Sequence, residues 1–185
     1  MRPSVTVWNE NRVEHTVAAA AEHYPDGIHA VVLDALAEHG LPAEAALLDD
    51  PEQGLPAHRL DRTEVLVWWG HEAHDEVDDA VAERVAARVR GGMGLVVLHS
   101  GHLSKPFLRL QGTSGELRWR HGEVERLWVV EPSHPIAEGL PELITLDPEE
   151  MYGERFDVPA PPSRHPATRR ERSAVGRSSQ PPASR

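Results

Sequence analysis

The chain has no cysteine among its 185 residues. Disulfides, thiolate nucleophiles and cysteine-ligated zinc are therefore excluded, and the absence fits a reducing, cytoplasmic setting. Long apolar runs are missing too. None approaches the roughly 20 residues that a membrane helix needs. Met1 to Val7 lacks the charged-then-apolar pattern of a signal peptide, so no membrane partner is expected. Aromatic residues make up only 5% of the chain, and five of the nine are tryptophan. Positive charge is short everywhere but at the end. The formal net charge is −11, yet residues 163–185 hold six arginines and one glutamate. An acidic body repels phosphate and argues against nucleic acid as a partner.

Histidine is what the chain has in quantity, twelve in all. His39 near a helix end, His58 in a loop and His165 in the tail read as ordinary surface residues. Others cluster. The run GLVVLHSGH, Gly94 to His102, is a short apolar stretch ending in His99-Ser100-Gly101-His102. EVLVWWGHEAH, Glu64 to His74, repeats the pattern and ends in Gly70-His71 and then His74. Short apolar runs closed by tight turns read as buried parallel strands. In open α/β sheets, ligands bind at the carboxyl ends of such strands.

The rest of the chain supplies the alternation that this reading needs. Ser4 to Trp8 reads as a first strand and Val13 to Glu22 as a helix. Asp26 is the expected N-cap of a helix whose apolar face is Ile28, Val31, Val32, Ala35 and Leu36. Glu44 to Leu48 reads as a weaker strand. Asp75 is the expected cap of a helix with Val77, Ala80, Val81, Val85 and Val89 on one face and arginines late, where the helix dipole favours cations. Strand and helix in turn predict an α/β fold with a parallel sheet covered by helices. After Gly112 the segments Leu117 to Arg120 and Val124 to Val130 read as shorter strands. From Pro159 onward the chain has almost no apolar residue and is expected to be a disordered Arg/Ser/Pro-rich tail.

Several runs taken together resemble the ThuA-like, trehalose-utilization family. They are VTVWNENRVEH (Val5 to His15), YPDGIH (Tyr24 to His29), VLVWWGHEAHDEV (Val65 to Val77), GMGLVVLHSGHLSK (Gly92 to Lys105), GTS (Gly112 to Ser114), RLWVVEPSHPIAEGL (Arg126 to Leu140) and EEMYGERFDVP (Glu149 to Pro159). The resemblance implies a flavodoxin-like, class I glutamine amidotransferase-like parallel sheet flanked by helices. It also implies domain organisation: an incomplete ThuA-like domain over 1–159 with its C-terminal part missing, then the tail 160–185, as a truncation or frameshift would leave it. That fold carries a nucleophilic cysteine on a sharp strand-to-helix turn. Here His99 stands in that place, so glutaminase chemistry is excluded.

Candidate site residues follow from both readings. His99, His102, Glu150 and Glu10 are the candidate catalytic groups, since imidazole and carboxylate pairs move protons near neutral pH. His71, His74, His99 and His29 are the candidate ligands for Zn²⁺ or another divalent metal, against the plainer reading that they cap strands and bind no cofactor. Trp8, Asn9, Trp69, Ser100 and Tyr152 are the candidate substrate contacts. Ser100 as a nucleophile is disfavoured, because the G-x-S-x-G pattern is absent. The expected partner is a small-molecule sugar, with a homo-oligomer allowed for. Trehalose, a related disaccharide or an oxidised keto-sugar is the expected substrate, and metal-assisted hydrolysis and proton transfer both fit the residues. The alternative is a non-catalytic sugar-binding or regulatory protein on an amidotransferase-like scaffold.

Overall fold

A computed structural model of the chain describes residues 3–153 and 155–159. The tail expected over 160–185 lies outside the described residues. The chain opens with β1 (Val5–Asn9), α1 (Val13–Thr16), α2 (Ala18–His23), α3 (Ile28–Glu38) and β2 (Ala43–Leu47). A 3-10 turn (Pro51–Gly54), α4 (Ala57–Arg62), β3 (Val65–Trp69) and a second 3-10 turn (His74–Glu76) follow. Then come α5 (Asp79–Arg90), β4 (Gly94–Leu98), a third 3-10 turn (His99–Leu103) and α6 (Lys105–Gln111). β5 (Arg118–Trp128), a last 3-10 turn (Pro135–Ala137) and β6 (Leu143–Gly153) complete the described elements.

Four strands form a parallel sheet in the order β2-β1-β3-β4. This is the strand order of flavodoxin-like sheets, and the fold is α/β as expected. The register sets Val7 against Val67, and Trp8 against Trp68. Because side chains alternate between faces, Val5, Val7 and Val67 share one face and pack with Val32, Leu33 and Leu36 of α3. Trp8, Leu66 and Trp68 take the other face and pack with Val77, Val81, Ala82 and Val85 around α5. This second cluster is the larger core. The continuous apolar run at β3 is what burial on both faces requires; β1 is buried along its whole length with Thr6 and Asn9 among its residues.

Local differences from the sequence reading have local causes. Val13 to Glu22 is two helices, parted by Val17 at φ −114° and ψ 115°, an extended geometry that suits a β-branched residue. α3 is preceded by Gly27 at φ 87° and not capped by Asp26; the Ile28 N–H donates instead to Glu14 Oε1 at 2.9 Å. α5 begins at Asp79, after the separate turn at His74–Glu76, so Asp75 does not cap it. Ala80 is exposed, while Ala82 and Ala86 are buried. The two short strands expected after Gly112 are one long strand, β5.

By contacts, the chain divides into two bodies. The first is Met1–Arg118 with Tyr152–Pro159, and it holds the parallel sheet. The second includes Trp119–Met151 and holds most of the two-stranded sheet of β5 and β6. Along that ribbon nearly every described residue of β5 is exposed, Trp119 and Trp128 among them.

Candidate active site

In the order β2-β1-β3-β4 the chain winds one way from β1 to β2 and the other way from β3 to β4. The switch falls between β1 and β3, where open sheets of this type form a crevice at the carboxyl ends. β1 ends there in Asn9-Glu10, β3 in Trp69-Gly70-His71, and β4 runs into His99-Ser100.

The turn after β4 is tight and strained. His99 has φ 45°, a left-handed conformation that non-glycine residues rarely hold and that concentrates at functional sites. Gly101 follows because a Cβ there would come 2.8 Å from Val97 Cγ1. The turn aims Ser100 inward, 7% exposed. Its Oγ donates to Gly70 O at 3.1 Å and lies 2.6 Å from His71 Nδ1 and 3.2 Å from His99 Nδ1. The His71 and His99 rings are 6.2 Å apart. Trp69 packs at 5.5 Å from His99, and the Tyr152 hydroxyl lies 3.0 Å from His99 Nδ1 and 3.4 Å from its Nε2. His71, His99, Ser100, Trp69 and Tyr152 thus come together.

His102 adjoins them. It is 8% exposed, and its Nδ1–H donates to Gly115 O at 2.6 Å. Its ring meets Tyr152 and Phe156 edge-on, at 5.8 and 5.6 Å. Phe156 also lines a groove of about 510 Å³ with Ser114, Glu116, Leu117, Arg118 and Asp157, within the size range of small-molecule sites. Asp157 is fixed there by the Ser114 hydroxyl and backbone N–H, which hold its pKa below the usual carboxylate range.

Glu10 departs from its expected catalytic role. It is 1% exposed, and both of its oxygens accept backbone hydrogen bonds, from Glu72 N–H at 2.6 Å and Ala73 N–H at 3.0 Å. It anchors the loop that carries His71. Gly70 leaves room for this packing, since a Cβ would come 3.3 Å from Glu10 Oε2 and 3.2 Å from Trp68 Nε1.

His74 packs behind the same loop. Its Nε2 is buried without a hydrogen-bond partner among the described residues. Burial holds its pKa below the ordinary histidine value; the charges of His102 and His71 add to this and that of Glu10 opposes it. The unfolded chain therefore binds this proton more readily than the folded one. The contribution to stability is complete above an unfolded pKa near 6.5 and is lost as pH falls through the lowered folded value. Urea unfolding from about pH 7.5 to about pH 5 should show the wild type losing stability that His74→Asn retains. Parallel pH profiles for the two proteins would contradict this.

Other expected residues lie elsewhere. Trp8 is 1% exposed, stacks on Trp68 at 3.8 Å, and donates from Nε1 to Gln53 O. It is core, not a sugar contact. Asn9 is fully buried, with Nδ2 2.7 Å from Glu14 Oε1 and 3.0 Å from His29 Nδ1. It cannot meet a substrate, and His29 belongs to this internal cluster. Glu150 lies in the second body. Among the described residues no group of three or more His, Asp or Glu side chains could hold a metal ion, and the expected set of His71, His74, His99 and His29 is not gathered as one.

Glu14 escaped the sequence reading. It is 4% exposed, and burial works against its ionisation. The donors Ile28 N–H and Asn9 Nδ2 and the charge of His29 outweigh burial and hold its pKa below the usual value. On an alanine-rich helix it reads as a solvent-facing acid. No signal in the sequence marks it, since Asp26 stands where a cap for the helix at Ile28 is expected.

The family model described as trehalose utilisation, ThuA, matches residues 4–184. That match runs past Pro159, after which the sequence reading placed an unrelated tail. No curated protein matches the chain. Among solved structures, a ThuA-like protein from Bacteroides uniformis is similar in fold, with a TM-score of 0.56 and 14% identity. The similarity covers 82% of this chain and 60% of that one, so the chain spans about three-fifths of the length of that relative.

Proposed function

The chain belongs to the ThuA, trehalose-utilisation family, and from that membership and the geometry above we propose that it is an enzyme of carbohydrate metabolism. Its reaction is proton transfer on a disaccharide related to trehalose, in the oxidised, keto form. The observation that carries this reading is the pair of imidazoles, His71 and His99, joined through the buried Ser100 hydroxyl at the ends of adjacent strands. A carbonyl on a sugar acidifies the neighbouring C–H. A base takes that proton, the electron pair moves to the carbonyl oxygen, and the proton returns to complete exchange or isomerisation. Imidazole is suited to both halves of that step near neutral pH. Trp69 beside His99 offers an apolar ring face of the kind that covers a sugar's C–H surface. The described residues gather no group that fits a metal centre, and the proton transfer is written through imidazole alone.

The test is deuterium exchange at carbon, followed by proton NMR in D₂O, with trehalose and its keto derivatives as substrates. The wild type should wash out the C–H signal next to the carbonyl. The double variant His71→Asn/His99→Asn should be slower by about 10²-fold or more, the usual worth of a positioned acid–base group. Saturable binding without exchange would instead make the protein a sugar-binding module, and neither binding nor exchange would overturn the substrate class.

A further inference from the structure

We propose that Ser100 is a positioning residue that fixes His71 in its Nδ1–H tautomer, leaving Nε2 of His71 as the base atom of the site. The inference rests on the proposed proton-transfer reading for its function and on proton counting for its structure.

A serine hydroxyl has one proton and two lone pairs. Three groups surround Ser100 Oγ: Gly70 O at 3.1 Å, His71 Nδ1 at 2.6 Å and His99 Nδ1 at 3.2 Å. A carbonyl oxygen can only accept, so the single proton goes to Gly70 O. Both lone pairs then face ring nitrogens, and His71 Nδ1, the nearer at 2.6 Å, must be a donor; His99 Nδ1 also meets the Tyr152 hydroxyl at 3.0 Å, and its tautomer is not fixed by Ser100. If the proton went to His71 Nδ1 instead, Oγ and the Gly70 carbonyl would meet as two acceptors in a buried place, which is unfavourable. Only the first arrangement satisfies both the Gly70 carbonyl and His71 Nδ1.

Two consequences follow. A neutral His71 with its hydrogen on Nδ1 has its lone pair on Nε2, and His71 is exposed, so that nitrogen is open to a substrate. Nor is the Ser100 hydroxyl set up as a nucleophile. Its proton is committed to a carbonyl, and the nearer imidazole nitrogen, His71 Nδ1, already carries a hydrogen and cannot take it. The logic parallels catalytic histidines whose tautomer is set by a partner on Nδ1, with a buried hydroxyl in place of a carboxylate.

The direct test is the nitrogen-15 NMR spectrum of uniformly labelled protein with its imidazoles neutral, with His71 assigned by comparison with His71→Gln. In the wild type, Nδ1 of His71 should resonate as a protonated nitrogen and Nε2 as a lone-pair nitrogen. Ser100→Ala should release the ring into a mixture of tautomers, and Ser100→Thr, which keeps the hydroxyl, should restore the wild-type pattern. Exchange activity should fall about tenfold in Ser100→Ala and recover in Ser100→Thr. A wild-type spectrum with the hydrogen on Nε2 overturns the proposal, as does a Ser100→Ala spectrum unchanged from the wild type. The wild-type spectrum decides even if Ser100→Ala does not fold. It needs no substrate, so failure of the tautomer assignment and failure of the proton-transfer reading are told apart.

Discussion

Alanine at position 68 should cost this protein about 4 kcal/mol of stability, within the range for emptying a buried tryptophan site. Trp68 is 1% exposed and stacks on Trp8 with ring centroids 3.8 Å apart and planes 19° from parallel. It belongs to the larger core cluster, beneath α5. Its Nε1 has no hydrogen-bond partner among the described residues, so the loss is one of packing and not of a polar contact. Phenylalanine keeps a ring in the stack and should cost less than about 2 kcal/mol. Trp69→Ala, on a half-buried residue of the opposite face, should cost less stability than Trp68→Ala and more exchange activity. Urea unfolding followed by far-ultraviolet circular dichroism measures all three. A loss below about 1 kcal/mol in Trp68→Ala would remove this pair from the load on the core.

These two neighbours show what was legible in the sequence. Strand alternation alone puts Trp68 and Trp69 on opposite faces, and the apolar run at β3 announces a buried parallel strand; the similar run at β4 reads as buried too, yet β4 stands last in the sheet order and none of its residues is fully buried, Val96 being 46% exposed. The histidines that follow the runs at β3 and β4 fall at the same crevice, and His71 and His99 meet there, their rings 6.2 Å apart. What alternation within one strand cannot give is the partner across strands. Trp8 looked like a rim aromatic until the register paired it with Trp68. Glu14 looked solvent-facing until the chain turned back to bring the Ile28 N–H to it. The role of Asn9 was hidden likewise, since its buried position depends on Glu14 and His29 arriving from two different helices.

Glu10→Ala should cost about 3 kcal/mol and should disable the site from a distance. The side chain lies next to β1 in sequence, yet it accepts from Glu72 N–H, 62 residues away, and from Ala73 N–H. Hydrogen bonds to a charged group contribute about 1.5–3 kcal/mol each, and a buried N–H stripped of its acceptor is penalised further. Losing the carboxylate also removes the buried charge itself, which offsets part of that sum and sets the figure near the middle of the range. The bonds clamp the segment just after His71, so their loss frees the loop and lengthens the 2.6 Å contact of His71 with Ser100. Glu10→Gln separates anchor from base. Its amide oxygen can accept one of the two N–H groups, while its NH₂ opposes the other, so stability should fall by less than in Glu10→Ala. As an anchor, Glu10 in either variant should lower exchange activity in step with the loss of the wild-type His71 tautomer in nitrogen-15 NMR. A Glu10→Gln protein with wild-type stability and tautomer but no exchange would return Glu10 to the reacting groups and displace His71 as the base.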